Sequence, residues 1–389
     1  MSIYLITALN IVNGVCLRGS RVLMSLFAIQ LGAGALEIGS LIAISSVFQL
    51  FLGIPAGQVS DRFGFRLPML LGAVGGSAAM IVPYLVPSMT GLYVSRALTG
   101  MTFIFFAIAV QTLAASLGGA EKRAANLTTF SLGQAIAGLL GPVLIGFAID
   151  RLGHESSYLC LALLALLPAA ALAAFPNIIP PARRKPQSVE HGNVFALLKL
   201  VPLRRALFTG AIVFAGGDLL SFYVPIYGNS IGLSATTIGI ILGAHSAAAF
   251  VVRLIMPALL KKMSAERVLS LSLAAAGLTY VLIPVFENAW ILAAVSFLLG
   301  LGLGCGQPLT MMLIYERTPQ GRAGAAMGLR MSINKIIQIG VPLGFGYLGS
   351  LLGLKAVFWT TAALLFGGAN LNRGAAKKPR PEKEPSSIL

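Results

Sequence analysis

The chain runs repeatedly for 18 or more residues with almost no charge, and this constrains it more than any other feature. A stretch of about 20 apolar residues, at a helical rise of ~1.5 Å, spans the ~30 Å hydrocarbon core of a bilayer. Backbone amides in that core must be bonded within the protein, so helices or a closed barrel are the only spanning structures. Barrel strands alternate apolar and polar residues over about ten positions, and these runs do not alternate. Hydrophobic residues make up 57% of the chain and charged residues 10%, against about 25% charged in soluble domains. The chain therefore reads as an all-α membrane protein.

Twelve spans are expected, at Ile3–Leu31, Leu36–Gly57, Leu67–Val86, Gly91–Leu117, Ala125–Ile149, Ser157–Pro176, Ala206–Asn229, Ala235–Leu260, Val268–Phe286, Ala289–Ile314, Ala323–Ser350 and Ala356–Leu371. Short turns rich in Gly, Pro, Ser and Asn join them. One connection is long: Ile178 to Leu203 carries Pro-Pro, Arg-Arg-Lys and the polar stretch Gln187–Asn193. It divides a six-helix bundle over residues 1–177 from a second over 206–372, with a cytoplasmic linker at 178–205. Residues 373–389, rich in Lys and Pro, read as a disordered basic tail.

A formal net charge of +16 would suit a nucleic-acid partner, but the placement of the charges argues against one. Of 28 Lys and Arg, 20 fall on one side, only Arg151 and Lys355 on the other, and six inside spans. That asymmetry is an orientation signal and puts both termini in the cytoplasm. The N-terminus has no basic n-region and no small-residue cleavage site, so the first span reads as an uncleaved anchor. Cys16, Cys160 and Cys305 lie in apolar runs without metal-ligand spacing and read as packing residues. No cofactor, metal or nucleotide-binding loop is expected, and no nucleophile has a base beside it, so an enzyme is not expected.

The halves repeat. A shift of 200 residues superposes Gly32 on Gly232, Gly39 on Gly239, Gly100 on Gly300, Pro142 on Pro342, Gly146 on Gly346 and Gly153 on Gly353. A six-plus-six repeat with both ends on one side is a parallel repeat about an axis along the membrane normal. It suits two bundles rocking around a site near the midplane.

Between the second and third spans stands Gly57-Gln58-Val59-Ser60-Asp61-Arg62-Phe63-Gly64-Phe65-Arg66. Gly57, Asp61, Arg62, Gly64 and Arg66 resemble the G-x-x-x-D-R/K-x-G-x-R/K loop of the major facilitator superfamily (MFS). With the span number, halves and linker, the resemblance covers nearly the whole chain. It implies the MFS fold, twelve transmembrane helices in two pseudo-symmetric six-helix bundles, and transport by alternating access. Arg96 with Gly100 is similar to the family's R-x-x-x-G element. Gly138-Leu139-Leu140-Gly141-Pro142 with Gly146 resembles the antiporter motif G-x-x-x-G-P-x-x-G-G, with Ala137 and Ile145 where glycines are expected. Gly141, Pro142 and Pro342 are the expected hinge and packing positions. The resemblance also implies that Asp61 lies by the N-terminus of the eleventh helix, at the positive end of its dipole, and latches the outward-open state. Gly57 is expected to let two helices approach closely. Pro257, Lys261 and Lys262 replace Gly57, Asp61 and Arg62 in the second half, so a second latch is degenerate.

Charge inside the bilayer bears most directly on function. Arg18 lies mid-span, roughly 20 Å from either end, with Arg21 on the same helical face. Each costs about 2.5–3.5 kcal/mol to insert, so both are expected to face protein or water, with Asn10 and Gly14 along the same wet seam. Among 12 Asp and Glu, only Asp218 falls mid-span, 200 residues from Arg18. By the resemblance, the first and seventh helices face each other across a central cavity, so Asp218 is expected to pair with Arg18 or Arg21. A purely structural pair is the alternative. Arg96, Gln307 and Lys335, the last beside Asn334 and Gln338, are further candidates for the cavity wall. Arg253 is close enough to Lys261 to snorkel. His245 is a proton carrier or a packed neutral ring. Phe214, Phe222, Tyr223 and Tyr227 stack a ligand or fill the bundle.

These features suit a monomeric secondary transporter of the inner (plasma) membrane, lying in the lipid bilayer. Protons are the expected coupling ion, exchanged at Asp218. A positive cavity favours a small organic anion or zwitterion over a lipophilic cation. The partial fifth-span motif favours export. Proton-coupled uptake, an uncoupled facilitator and a non-transporting membrane receptor are the alternatives, the last disfavoured by the short polar linker and tail.

Overall fold

The computed structural model describes residues 3–117, 119–175, 194–319 and 322–373. Its helices are α1 (Ile3–Gln30), α2 (Ala35–Phe63), α3 (Arg66–Leu85), α4 (Met89–Ser116), α5 (Gly119–Ala174), α6 (Val201–Ser230), α7 (Ala235–Lys262), α8 (Ala265–Leu282), α9 (Ala289–Gly304), α10 (Gly306–Arg317), α11 (Ala323–Leu352) and α12 (Leu354–Arg373). Short 3-10 helices at Val194–Lys199 and Ile283–Val285 precede α6 and follow α8. Among the described residues there is no strand. The tail from 374 and most of the expected linker lie outside the described residues, and α6 opens at Val201, before the expected Ala206.

Among the described residues eleven stretches are long and apolar enough to cross a membrane, and one of these, Thr129–Ala174, is 46 residues long and turns back at Gly153, which makes twelve apolar crossings. Two crossings depart from the expected spans. The turn expected between Ile149 and Ser157 shrinks to a corner at Gly153, whose φ of +79° glycine alone adopts without strain. The tenth crossing, expected to be continuous from Ala289 to Ile314, breaks at Cys305 between α9 and α10. Gly300, Gly302, Gly304 and Gly306 weaken the ladder there. Pro308 has no N–H to give the Gly304 carbonyl four residues back.

The ends of the halves (Ile3, Ala174, Val201 and Arg373) share one side, called the near side below. The turns at Gly32, Gly153, Gly232 and Gly353 share the far side, at φ of +85°, +79°, +77° and +81°. These four form two pairs related by the 200-residue shift, so the repeat extends to the backbone conformation of the turns. Ser88, Ser234, Ser264 and Asn288 accept from first-turn amides and start α4, α7, α8 and α9. Phe27, Phe222, Tyr280 and Phe358 are fully buried between helices, whereas Phe51, Ile54, Leu254 and Trp290 face outward. An apolar exterior of this kind belongs against lipid.

The halves meet along two joints, α2 with α11 and α5 with α7. A Cβ on Gly39 would run into the Pro342 carbonyl, and one on Gly239 into the Pro142 carbonyl. Gly346 abuts Ala35 and Leu36, and Gly146 abuts Ala235 and Thr236. The joints are images of one another under the repeat. Both lie between mid-membrane and the far side, so the molecule is closed on that side.

Candidate substrate cavity and gates

The repeat-related helices α1 and α6 meet at mid-membrane. There Arg21 Nη1 donates to Asp218 Oδ1 at 2.9 Å, one residue from each half. The Arg21 guanidinium also lies over Phe222, 5.4 Å from the ring centroid, a geometry in which the ring quadrupole attracts the cation. The two side chains keep 22% and 11% of their exposure. Both arginines on this face are candidates for the acid, and Arg21 takes it. Arg18, three residues nearer the near side, makes no hydrogen bond or ion pair among the described residues. Its guanidinium carbon lies 3.6 Å from where a Cβ on Gly138 would stand. The centre of the molecule therefore holds one neutralised arginine and one with its donors uncommitted.

The other expected residues separate. Arg96 is buried within the first half, where its Nη2 donates to Ser45 Oγ at 3.2 Å, and its Nε has no partner. Gln307 accepts from Arg330 of α11. Nothing in the sequence beyond charge at that depth marks Arg330. Lys335 donates to Gln338 Oε1 at 2.8 Å and to Gln49 Oε1 of α2 at 2.5 Å, so it ties the two halves together. Gln49 is uncharged and stands alone in an apolar run, which leaves no pattern to find it by. Asn10 and Gly14 do not line a wet seam. Asn10 is buried and accepts from Gln134 at 3.2 Å, and a Cβ on Gly14 would lie 2.8 Å from Ala137 Cβ. Phe222, Tyr223 and Tyr227 are buried as bundle filling, and His245 keeps a buried Nδ1 without a partner.

Arg253 does not snorkel. Its Nε donates at 3.1 Å to the Gly304 carbonyl, the one that Pro308 leaves without its helical partner. A buried carbonyl without a donor costs about 1–3 kcal/mol. Arg253→Met, which keeps the apolar stem, is therefore expected to destabilise the protein by about that amount. Thermal unfolding in detergent would register it as a lower midpoint, and an unchanged midpoint would remove the role given to Arg253.

The residues expected at the near-side gate make no bond to the second half among the described residues. Asp61 is exposed and bonded to no described residue, and a Cβ on Gly57 would meet nothing within 4 Å. The close approach expected at Gly57 is therefore not made in this conformation. Gly64 ends α2 at φ +83°, its N–H on the Ser60 carbonyl at 3.0 Å. Arg62 stacks on Phe63, 5.1 Å from the ring centroid. Arg66 donates to the Leu172 and Ala173 carbonyls at 3.1 and 3.5 Å, a cation at the negative end of the sixth crossing.

The glycine run of α5 lies where both halves meet. Gly141 touches Val15 and Gly19 of α1, and Ser246 of α7 donates at 2.9 Å to the Gly138 carbonyl, freed by Pro142. The departures at Ala137 and Ile145 are answered on the facing helix. Gly14 lies against Ala137, and a Cβ on Gly19 would lie 3.4 Å from Ile145 Cβ. The space the motif needs is present, with two of its glycines moved to α1.

The chain matches the family model of the Major Facilitator Superfamily over residues 6–266 and 206–388. It is similar to the multidrug resistance protein MdtG of Proteus mirabilis (strain HI4320), at 28% identity over 345 residues, covering 85% of this chain and 84% of that protein. It is also similar to the tetracycline resistance protein, class G, of Vibrio anguillarum, at 26% identity over 350 residues, covering 84% and 85%. In fold it resembles the nucleoside transporter NupG, with a TM-score of 0.79 at 13% identity over 97% of this chain and 100% of that one. A POT family transporter in complex with 5-aminolevulinic acid gives a TM-score of 0.78 at 16% identity over 96% of each chain. At such identities the solved structures speak to the fold alone.

Proposed function

We propose that this chain, which belongs to the Major Facilitator Superfamily and is a multi-pass membrane transporter, exports a small zwitterionic organic solute in exchange for protons, with proton-coupled uptake of an organic anion as the second reading. The observation that carries the reading is the Arg21–Asp218 pair between the halves, with Arg18 uncommitted beside it. On this reading the chain lies in the bacterial inner membrane with both termini in the cytoplasm. The near side is then the cytoplasmic one, and the conformation described above is inward-open. The names of the relatives MdtG and tetracycline resistance protein, class G, support export.

Linkage decides which solute goes with which direction. A purely anionic solute that takes Arg21 from Asp218 raises the proton affinity of that carboxylate. Solute and proton then bind together, and binding energies are reciprocal, so a pure anion would be carried as a symport. A zwitterion behaves otherwise. Its carboxylate or phosphate sits on Arg18, while its ammonium competes with the proton for Asp218. Competition for one carboxylate is what exchange requires. Export by proton exchange therefore favours a solute with both charges, and proton-coupled anion uptake is the second reading.

Purified protein in proteoliposomes with an imposed pH gradient tests this. Labelled zwitterions, organic anions and lipophilic cations would be compared, with the gradient set in each direction. The expected result is counterflow of zwitterion against protons. Co-directional movement of anions with protons supports the second reading. Preference for lipophilic cations would overturn the assignment of a positive cavity.

A further inference from the structure

Asp150 closes the last turn of the fifth crossing at the far side, in a stretch that reads in sequence only as a turn. Its Oδ1 accepts from the Ala235 N–H at 3.1 Å and its Oδ2 from the Thr236 N–H at 2.8 Å. Those are first-turn amides of α7, which have no partner in their own helix, at the positive end of its dipole. The carboxylate belongs to the first half and the amides to the second. Its neighbour Arg151 turns to the Phe147 ring, 5.1 Å from the centroid, and leaves the carboxylate to α7.

The equivalent place in the other joint lacks this contact. The repeat puts Ser350 where Asp150 stands, and its hydroxyl donates to Tyr347 of its own helix. The start of α2 is served locally as well, by Glu37, whose Oε2 accepts from Gly34 N–H at 2.7 Å. At the far-side end one joint therefore carries a carboxylate tie across the halves, whereas the other has packing there and its Lys335–Gln49 hydrogen bond deeper in the membrane. On the near side Asp61, the residue expected to meet the start of α11, is exposed and bonded to no described residue.

We propose that Asp150 is the far-side latch of this transporter. It holds the far side shut by occupying the N-terminus of α7 and must leave that site before the far side opens. The switch then has one carboxylate at each face, each meeting a helix N-terminus of the opposite half. Asp150 is engaged when the far side is closed, and Asp61 when the near side is closed. The latch acts on the conformational equilibrium whatever the solute, so its test does not depend on the export reading.

Hydrogen exchange of the full-length protein in lipid vesicles, without solute, provides the test. Asp150→Asn and Asp150→Ala are compared with the unaltered chain, each first shown to be monodisperse after extraction. Opening of the far side exposes the first turn of α7 and also the α2–α11 joint around Gly39 and Pro342, which Asp150 does not touch. Both segments are expected to exchange about five- to thirtyfold faster in the variants. Asp61→Asn, which removes the opposite latch, is expected to leave both segments as slow or slower. Faster exchange confined to the first turn of α7 would reduce Asp150 to a local cap and overturn the proposal. Unchanged exchange in both segments would overturn it as well.

Discussion

Asp218→Asn is expected to abolish solute accumulation driven by a pH gradient while solute–solute exchange continues. The asparagine fills the same space and can still accept a hydrogen bond, but it neither carries charge nor takes up a proton near neutral pH. Arg21, paired with the acid at 2.9 Å, then keeps its charge with no counter-ion. Removing one partner of a buried pair costs about 3–5 kcal/mol. A loss of at least about a hundredfold in coupled rate needs only ~2.7 kcal/mol, so the effect lies within what the pair can supply. The measurement is uptake into proteoliposomes with and without the gradient. Exchange serves as an internal control for folding and insertion. Gradient-driven transport that survives in Asp218→Asn would rule out Asp218 as the coupling site and leave the pair a structural role.

The second large effect concerns the joints. Gly39→Ala and Gly239→Ala each place a methyl against a backbone carbonyl of the opposite half, that of Pro342 or of Pro142. A flexible side chain could rotate away, but a helix carbonyl beside a proline cannot, so the whole joint must part. Overpacking costs about 1–3 kcal/mol, and here the penalty applies only to the conformation closed on the far side. Cells expressing either variant are expected to insert normal amounts of protein, with transport reduced about five- to 150-fold. Because the joints are repeat images, both variants should behave alike, and the pair together should be worse than either alone. Gly76→Ala, where a Cβ meets nothing within 4 Å, is the matched control. Normal transport by Gly39→Ala and Gly239→Ala would mean that the two halves need not meet closely during the cycle.

Much of the architecture is legible in the amino-acid sequence. Hydropathy finds the crossings because lipid requires long apolar helices, and the shift of 200 finds the halves because the same glycines recur at the same turns. Asp218 is legible for the same reason, as a lone acid at a depth where charge is expensive. What hydropathy misses is mostly local or uncharged. Gln49 holds Lys335, but a single amide in an apolar run leaves no mark; Gln307 is legible as a candidate, whereas its partner Arg330 is not. Arg18 and Arg21 share one helical face, so periodicity cannot choose between them. Arg253 reads as a snorkelling residue when only its distance to the near side is weighed. Its partner follows from Pro308, through the carbonyl that a proline leaves unpaired four residues earlier. Asp150 is hidden by position: an acid beside a turn is ordinary, and its meaning lies in an amide pair of the other half. The break at Cys305 needs the same close reading, since alternate glycines look apolar to a hydropathy window.

The far-side corners at Gly32, Gly153, Gly232 and Gly353 have a mechanical consequence. Each joins its two helices through a short connection that turns at a single glycine of positive φ, so neighbouring crossings are held close together at that end. Neither bundle can flex there by paying out slack. Whatever movement admits solute from one face and then the other must leave each bundle nearly undeformed. It must be taken up where the bundles touch. The protein is in effect two stiff levers on a shared fulcrum. Changes to its speed should come from the touching surfaces, and shortening or stiffening a corner should leave that speed nearly unaltered.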